Sequence, residues 1–244
     1  MSEQNVLELI TVNTHSSIRI GGERVIYIDP LSVEGAPHDA DLILFTHPHA
    51  DHFSPRDAKK LLKESTVIAA PKSMAGLCRI MLGREIKSLL PGEKYEQGGV
   101  KFETVAAYNK SKPFHLKAMK WLGYIINVGD TRVYISGDTD ITDESRSVRC
   151  DIAMLPIGGF YTIDPIQAAE LAKAVSAHTV IPVHYGRLLG GEDAPEKFRR
   201  ALDEGIKADI RPNVYSNVLV KMYLTSAALI LLGGTIGYIV GHMM

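Results

Sequence analysis

The chain has 244 residues, 45% apolar and 23% charged, with a formal net charge of -1, enough for one large domain with a buried core. No surplus of Lys and Arg is available for phosphate backbones, which argues against a general nucleic-acid binder. Cys78 and Cys150 lie far apart and match no metal spacing, so a disulfide framework is not expected and a reducing compartment is the better fit.

The N-terminus, MSEQNVLELI, has no basic stretch leading into an apolar core, and no secretory signal is read there. β-branched runs predict strands at Val6–Val12, Ser17–Ile20 and Val25–Ile28, punctuated by Gly21-Gly22 and stopped by Asp29-Pro30. Leu42–Phe45 is continuously apolar, as suits a strand buried on both faces. Directly after it comes THPHADHFS, Thr46 to Ser54, and then a predicted helix from Pro55 to Lys63 with Ser54 as its cap. A strand at Val67–Ala70 and a helix at Met74–Leu82 follow. The middle returns to strands at Val100–Ala106, Leu122–Val128 and Val133–Ser136, the last two joined by a Gly129-Asp130 turn. The final third alternates: strand Asp151–Leu155, helix Pro165–Ala174, strand Val180–Val183, then helix Ala194–Asp203 with Asp193 as cap. Strands first and alternating units later predict an α/β (α+β) class, sheets covered by helices.

From Met222 to Met244 there is no Asp, Glu, Lys or Arg. A helix of that length spans about 34 Å, against roughly 30 Å of hydrocarbon, so a C-terminal transmembrane anchor is expected rather than a buried core helix. The expected organisation is therefore a domain over 1–212, a linker over 213–221 and the anchor over 222–244. Gly233, Gly237 and Gly241 share one helical stripe and could bring two such helices together as a homodimer. The basic residues before the anchor place the main domain on the cytoplasmic side by the positive-inside bias.

The chemistry concentrates in the histidine loop. His47 and His49 flank Pro48, and in an extended geometry residues two apart point to the same side and can reach one ion. Asp51 and His52 come a turn later as a second set. Nitrogen and oxygen donors without cysteine suit zinc, iron or manganese in a working site rather than a structural zinc knuckle. ISGDTD puts Asp138, and IPVHYG puts His184, at the C-terminal end of an apolar strand, each beside a glycine. Asp138 is the candidate carboxylate between two metals.

HPHADH, then GDTD, then the histidine of PVHYG resembles the metallo-β-lactamase-fold hydrolases, a four-layered αβ/βα sandwich. Within them the chain is most similar to the branch holding ascorbate-6-phosphate lactonase and the phospholipase D that acts on N-acyl phosphatidylethanolamines. LPIGGFYTIDPIQAAELA, Leu155 to Ala172, carries the same likeness, which covers roughly residues 6–205. The resemblance implies two divalent metals, zinc first with manganese or iron as alternatives. It implies that His47 and His49 hold the first with a third histidine, that Asp51, His52 and His184 hold the second, and that Asp138 bridges. Asn109 stands near where the third histidine is usual, so His115 in KPFHLK takes that role, its alternative being a surface residue in a basic loop. His15 resembles a histidine that similar chains carry close to the site. Asp29 could fix the tautomer of a ligating histidine or simply make an Asp-Pro turn. Tyr161 is either a hydroxyl near the substrate or a half-buried structural residue. His38 and His178 match no motif.

The implied reaction is hydrolysis by a binuclear-metal-activated hydroxide, with Asp51 or Asp138 orienting it and taking its proton. A phosphodiester and a lactone rank first as substrates, small-molecule or lipid-type, the membrane tether favouring the former. Two alternatives of other classes are a di-iron redox protein of the same fold and a non-catalytic membrane-anchored module. In the di-iron relatives a glutamate typically stands at the His49 position, and a full ligand set argues against a lost activity.

Overall fold

The computed structural model describes residues 2–186 and 189–212. The predicted anchor, its glycine stripe and the linker therefore lie outside the described residues. Among those residues no helix is long and apolar enough to cross a membrane.

The chain begins with a correction. Helix α1 covers Glu3–Leu9 and β1 only Ile10–Thr14, where a single strand at 6–12 was expected. Ser2 caps the helix by accepting from Asn5 N, and Val6 and Leu7 with Ile10 occupy one helical face, all three buried. After β2 (Ser17–Ile20), β3 (Ile26–Ile28) and β4 (Leu42–Leu44) comes α2 (Pro55–Leu61), with Ser54 as its cap and Pro55 in its first turn. Then follow β5 (Val67–Pro71), α3 (Lys72–Leu82), β6 (Lys87–Leu89), β7 (Lys94–Gln97) and β8 (Val100–Ala106). Strands β9 (Leu122–Val128) and β10 (Thr131–Ile135) pair across the two-residue turn Gly129-Asp130. The rest is α4 (Asp143–Ser147), β11 (Ile152–Pro156), α5 (Pro165–Ala174), β12 (Thr179–Val183), α6 (Ala194–Ala201) and β13 (Lys207–Ala208). Asp193 precedes α6 but gives no side-chain cap, because its carboxylate faces Lys197 Nζ at 2.9 Å instead.

The strands form two sheets, six-stranded β1-β2-β3-β4-β5-β6 and seven-stranded β13-β12-β11-β10-β9-β8-β7. The inner faces meet in one core, where Ile28, Leu42 and Leu44 pack with Tyr124, Ile135 and Met154. A second apolar layer joins the seven-stranded sheet to α5 and α6 through Leu155, Leu171 and Phe198. A third joins the six-stranded sheet to α2 and α3 through Phe45, Leu61 and Cys78. This gives the expected four layers, helix, sheet, sheet, helix.

Candidate metal centre

The topology brings strand ends to one place. β1 leads into the turn that holds His15, β3 into Asp29, β4 into Thr46–Ser54 and β8 into the loop with Asn109 and His115. β10 leads into Asp138 and β12 into His184. His15, Asp29, His115 and His184 all sit at positive φ, between 47° and 54°, a conformation that costs a residue with a Cβ about 1–2 kcal/mol. The sheets over-determine these turns, and such backbone outliers concentrate at functional sites.

His47, His49 and His115 form one group able to hold a metal. His47 Nε2 lies 3.1 Å from His49 Nδ1, and the His115 ring centroid is 5.1 and 4.9 Å from the rings of His47 and His49. Asn109 stands behind this group. Its carboxamide nitrogen donates to the Tyr161 carbonyl at 2.8 Å and lies 3.3 Å from His115 Nδ1. Tyr161 is thus tied to the centre through its backbone oxygen. His38 and His178 lie elsewhere, against the Leu62 carbonyl and Glu3.

Trp121 was not foreseen, since it belongs to no ligand motif and reaches the site only through the fold. Its ring centroid lies 5.0, 5.0 and 5.3 Å from those of His47, His49 and His115, and it is the chain's one tryptophan. Its emission is therefore expected to change as metal is added, most strongly by quenching with Mn2+, and to saturate with uptake. Full metal uptake with unchanged emission would put the ion away from these three histidines.

The second group is His15, Asp51, His52 and His184. His15 Nε2 lies 3.1 Å and His184 Nε2 3.6 Å from Asp51 Oδ2. The His15 and His184 rings are 3.9 Å apart. His15 was expected close to the site behind the ligands. The fold sets its ring against Asp51 and His184, because the His15 carbonyl accepts from His184 N and straps the two strand ends together.

Asp138 lies between the groups, its carboxylate 3.1 Å from His184 Nε2, 3.4 Å from His52 Nε2, 3.3 Å from His115 Nε2 and 3.8 Å from His47 Nε2. Behind them, Asp29 accepts from His52 Nδ1 at 2.7 Å, from the Thr46 hydroxyl at 2.5 Å and from Thr46 N at 2.8 Å. The Thr46 oxygen in turn faces His47 Nδ1 at 2.9 Å. With both Nδ1 atoms carrying hydrogen, the Nε2 lone pairs of His47 and His52 point into the centre.

His52 Nε2, His115 Nε2, Asp138 Oδ1 and His184 Nε2 are buried without a hydrogen-bond partner among the described residues. Dry polar atoms are costly, and divalent metals would satisfy all four at once, so the donor set fits two such ions. The electrostatics are divided. Burial, then the facing histidine, lowers His15 and His49 to about 4, leaving both neutral at pH 7. Burial also opposes charge on His184, but Asp138 and Asp51 outweigh it and raise its pKa from 6.5 to about 9. Burial pushes Asp51 and Asp138 upward, yet the adjoining histidines hold both well below the usual carboxylate range.

A pH dependence follows. In the metal-free chain the raised pKa of His184 contributes stability that is complete below about 6.5 and lost as pH rises through about 9. A ligand must be neutral, so loading at pH 7 expels the His184 proton and one from His52, whose pKa Asp138 and Asp51 also hold well above 6.5 against burial. Metal addition in weak buffer is expected to acidify the solution, and affinity to rise with pH between 6 and 9. Affinity flat from pH 6 to 9 would contradict this.

A two-sheet sandwich with histidine and aspartate donors at its strand ends is the frame of a metal-dependent enzyme. The Beta-lactamase superfamily domain matches residues 9–184. A metal-dependent hydrolase of Thermoplasma acidophilum is 31% identical over 200 residues, 76% of this chain and 86% of its own. Igni18, a metallo hydrolase of Ignicoccus hospitalis, superposes with a TM-score of 0.67 at 22% identity, covering 84% of this chain and 95% of its own. CmlA, a diiron β-hydroxylase of Streptomyces venezuelae, does so at 0.69 and 13% identity, over 84% of this chain and 52% of its own. The likeness to the last two is one of fold. The chain belongs to the beta-lactamase superfamily and is a metal-dependent hydrolase.

Proposed function

We propose that the chain is a binuclear hydrolase of a phosphodiester or lactone, with His47, His49 and His115 on one metal, Asp51, His52 and His184 on the other, His15 behind Asp51, and Asp138 between the two metals. The observation that carries this reading is the Asp138 carboxylate within 3.8 Å of a histidine from each group. Zinc is the first choice, manganese and iron the alternatives. Two such ions would supply Lewis acidity and bring the pKa of water toward neutrality.

The protein's own groups divide the remaining work. His49 keeps part of its surface open to solvent and Asp51 keeps 14% of its side chain accessible, whereas Asp138 keeps 3%. Asp51 is thus the carboxylate that incoming water meets, and His15 holds it in place through the 3.1 Å contact. Asp51 takes the proton of the attacking water, while Asp138, sealed inside, positions donors. Trp121 walls off one side and limits access of bulk water to the reacting oxygen.

The test is to strip the metal from the full chain, reload it with zinc or manganese, and assay a phosphodiester beside a lactone, with Asp138→Ala as control. Turnover of either substrate that needs metal and is lost in the variant supports the reading. Turnover indifferent to metal would sink it. We further propose that residues 222–244 anchor the protein in a membrane with the hydrolase domain on the cytoplasmic side, the glycine stripe pairing two copies. Membrane fractionation with and without those residues tests this, and an intact chain staying in the soluble fraction would refute it.

A further inference from the structure

Resting on that reading, we infer that Phe114, Phe160 and Tyr161 form a subsite for an apolar aryl or alkyl group of the substrate, beside the reacting centre. Phe160 is 69% exposed, although burying a phenylalanine is worth about 1.5–3 kcal/mol. Its ring lies 4.8 Å from that of Tyr161 and 6.2 Å from that of Phe114, and Phe114 and Tyr161 are 5.0 Å apart. Three rings at these spacings make a wall that can receive another ring edge-on or flank an alkyl chain.

The wall is clamped to the centre on both sides. Phe114 immediately precedes His115, and Asn109 links His115 Nδ1 to the Tyr161 carbonyl. At the other end of the loop, Gly158 presses on the second donor group. A Cβ there would lie 2.4 Å from the His184 carbonyl oxygen and 3.3 Å from its Nδ1, so only glycine fits. The Lys112 ammonium is engaged by Asp140 and the Thr162 carbonyl. An apolar group attached close to the scissile bond is therefore the occupant whose chemistry matches, its reacting head at the centre and its tail on the rings.

The experiment reads binding by calorimetry on the zinc-loaded full chain, using methyl-, butyl- and phenylphosphonate, whose heads are alike and are not hydrolysed. Butyl- and phenylphosphonate are expected to bind about tenfold or more tighter than methylphosphonate, as buried apolar area dictates. Phe160→Ala should shrink that gap to about threefold, whereas Phe160→Leu keeps most of it, and neither should alter methylphosphonate binding. Equal affinities for all three in the wild type, or a gap that survives Phe160→Ala combined with Phe114→Ala, overturns the subsite while leaving the hydrolase reading intact. No binding of any phosphonate overturns the subsite, and methylphosphonate binding that Asp138→Ala does not weaken overturns the hydrolase reading and the subsite with it.

Discussion

Exchanging Asp138 for alanine is expected to lower hydrolysis on the order of 10^3-fold, equivalent to about 4 kcal/mol of transition-state stabilisation. It should also lower the metal bound per chain. Among the described residues Asp138 is the carboxylate that comes within 4 Å of histidines from both groups, touching His47 and His115 on one side and His52 and His184 on the other. Without it two cations would face each other with no negative charge between them. Asp138→Asn separates charge from shape: it fills the same space, so any shared loss belongs to the missing charge. Elemental analysis of metal content beside activity decides the matter. A variant with full metal content and full activity would refute the bridging role.

How much of this centre could be read from the sequence depends on how local each signal was. The loop from His47 to His52 announced itself, because its donors lie six residues apart or less and follow an apolar strand. Asp138 and His184 could be found for the same reason, each shortly after an apolar run and close to a glycine, Gly137 or Gly186. His15 was harder. Nothing near NTHSS says what its ring meets, and its place beside Asp51 and His184 comes from the non-local contact between the ends of β1 and β12. Trp121 gave no signal at all.

The same division holds for the fold. Strands buried on both faces, such as Leu42–Leu44 and Ile152–Pro156, show plainly as apolar runs. Strand β7, KYEQ, alternates only between exposed and half-buried positions and lacks β-branched residues, so it reads as loop. Helix α4 is a single turn whose one clear mark is the reciprocal Thr142–Ser145 capping box, too short to show a hydrophobic period. In α1 the apolar residues Val6, Leu7 and Ile10 fit either period over so few positions, and the Ser2 cap decided for helix.

Asp29→Ala carries the largest expected effect outside the ligands. Asp29 and Thr46 are each 1% exposed, and the carboxylate receives Thr46 N, the Thr46 hydroxyl and His52 Nδ1. Alanine leaves those donors buried and unpaired, for a loss of about 3–5 kcal/mol in stability. Metal affinity should fall by about 10–100-fold, the usual cost of removing the group behind a ligating histidine. Asp29→Asn divides the two effects. The amide retains the volume and one oxygen for Thr46 N, so it should unfold at a higher temperature than the alanine variant. Its nitrogen, however, would then face the Thr46 hydroxyl and His52 Nδ1, where acceptance is required. His52 can answer only by moving its proton to Nε2, the atom that points into the centre. The asparagine variant should therefore fold better than alanine yet bind metal as poorly. Thermal denaturation and metal titration on the two variants test this split. Metal affinity recovered together with stability in Asp29→Asn would show that Asp29 acts by packing alone.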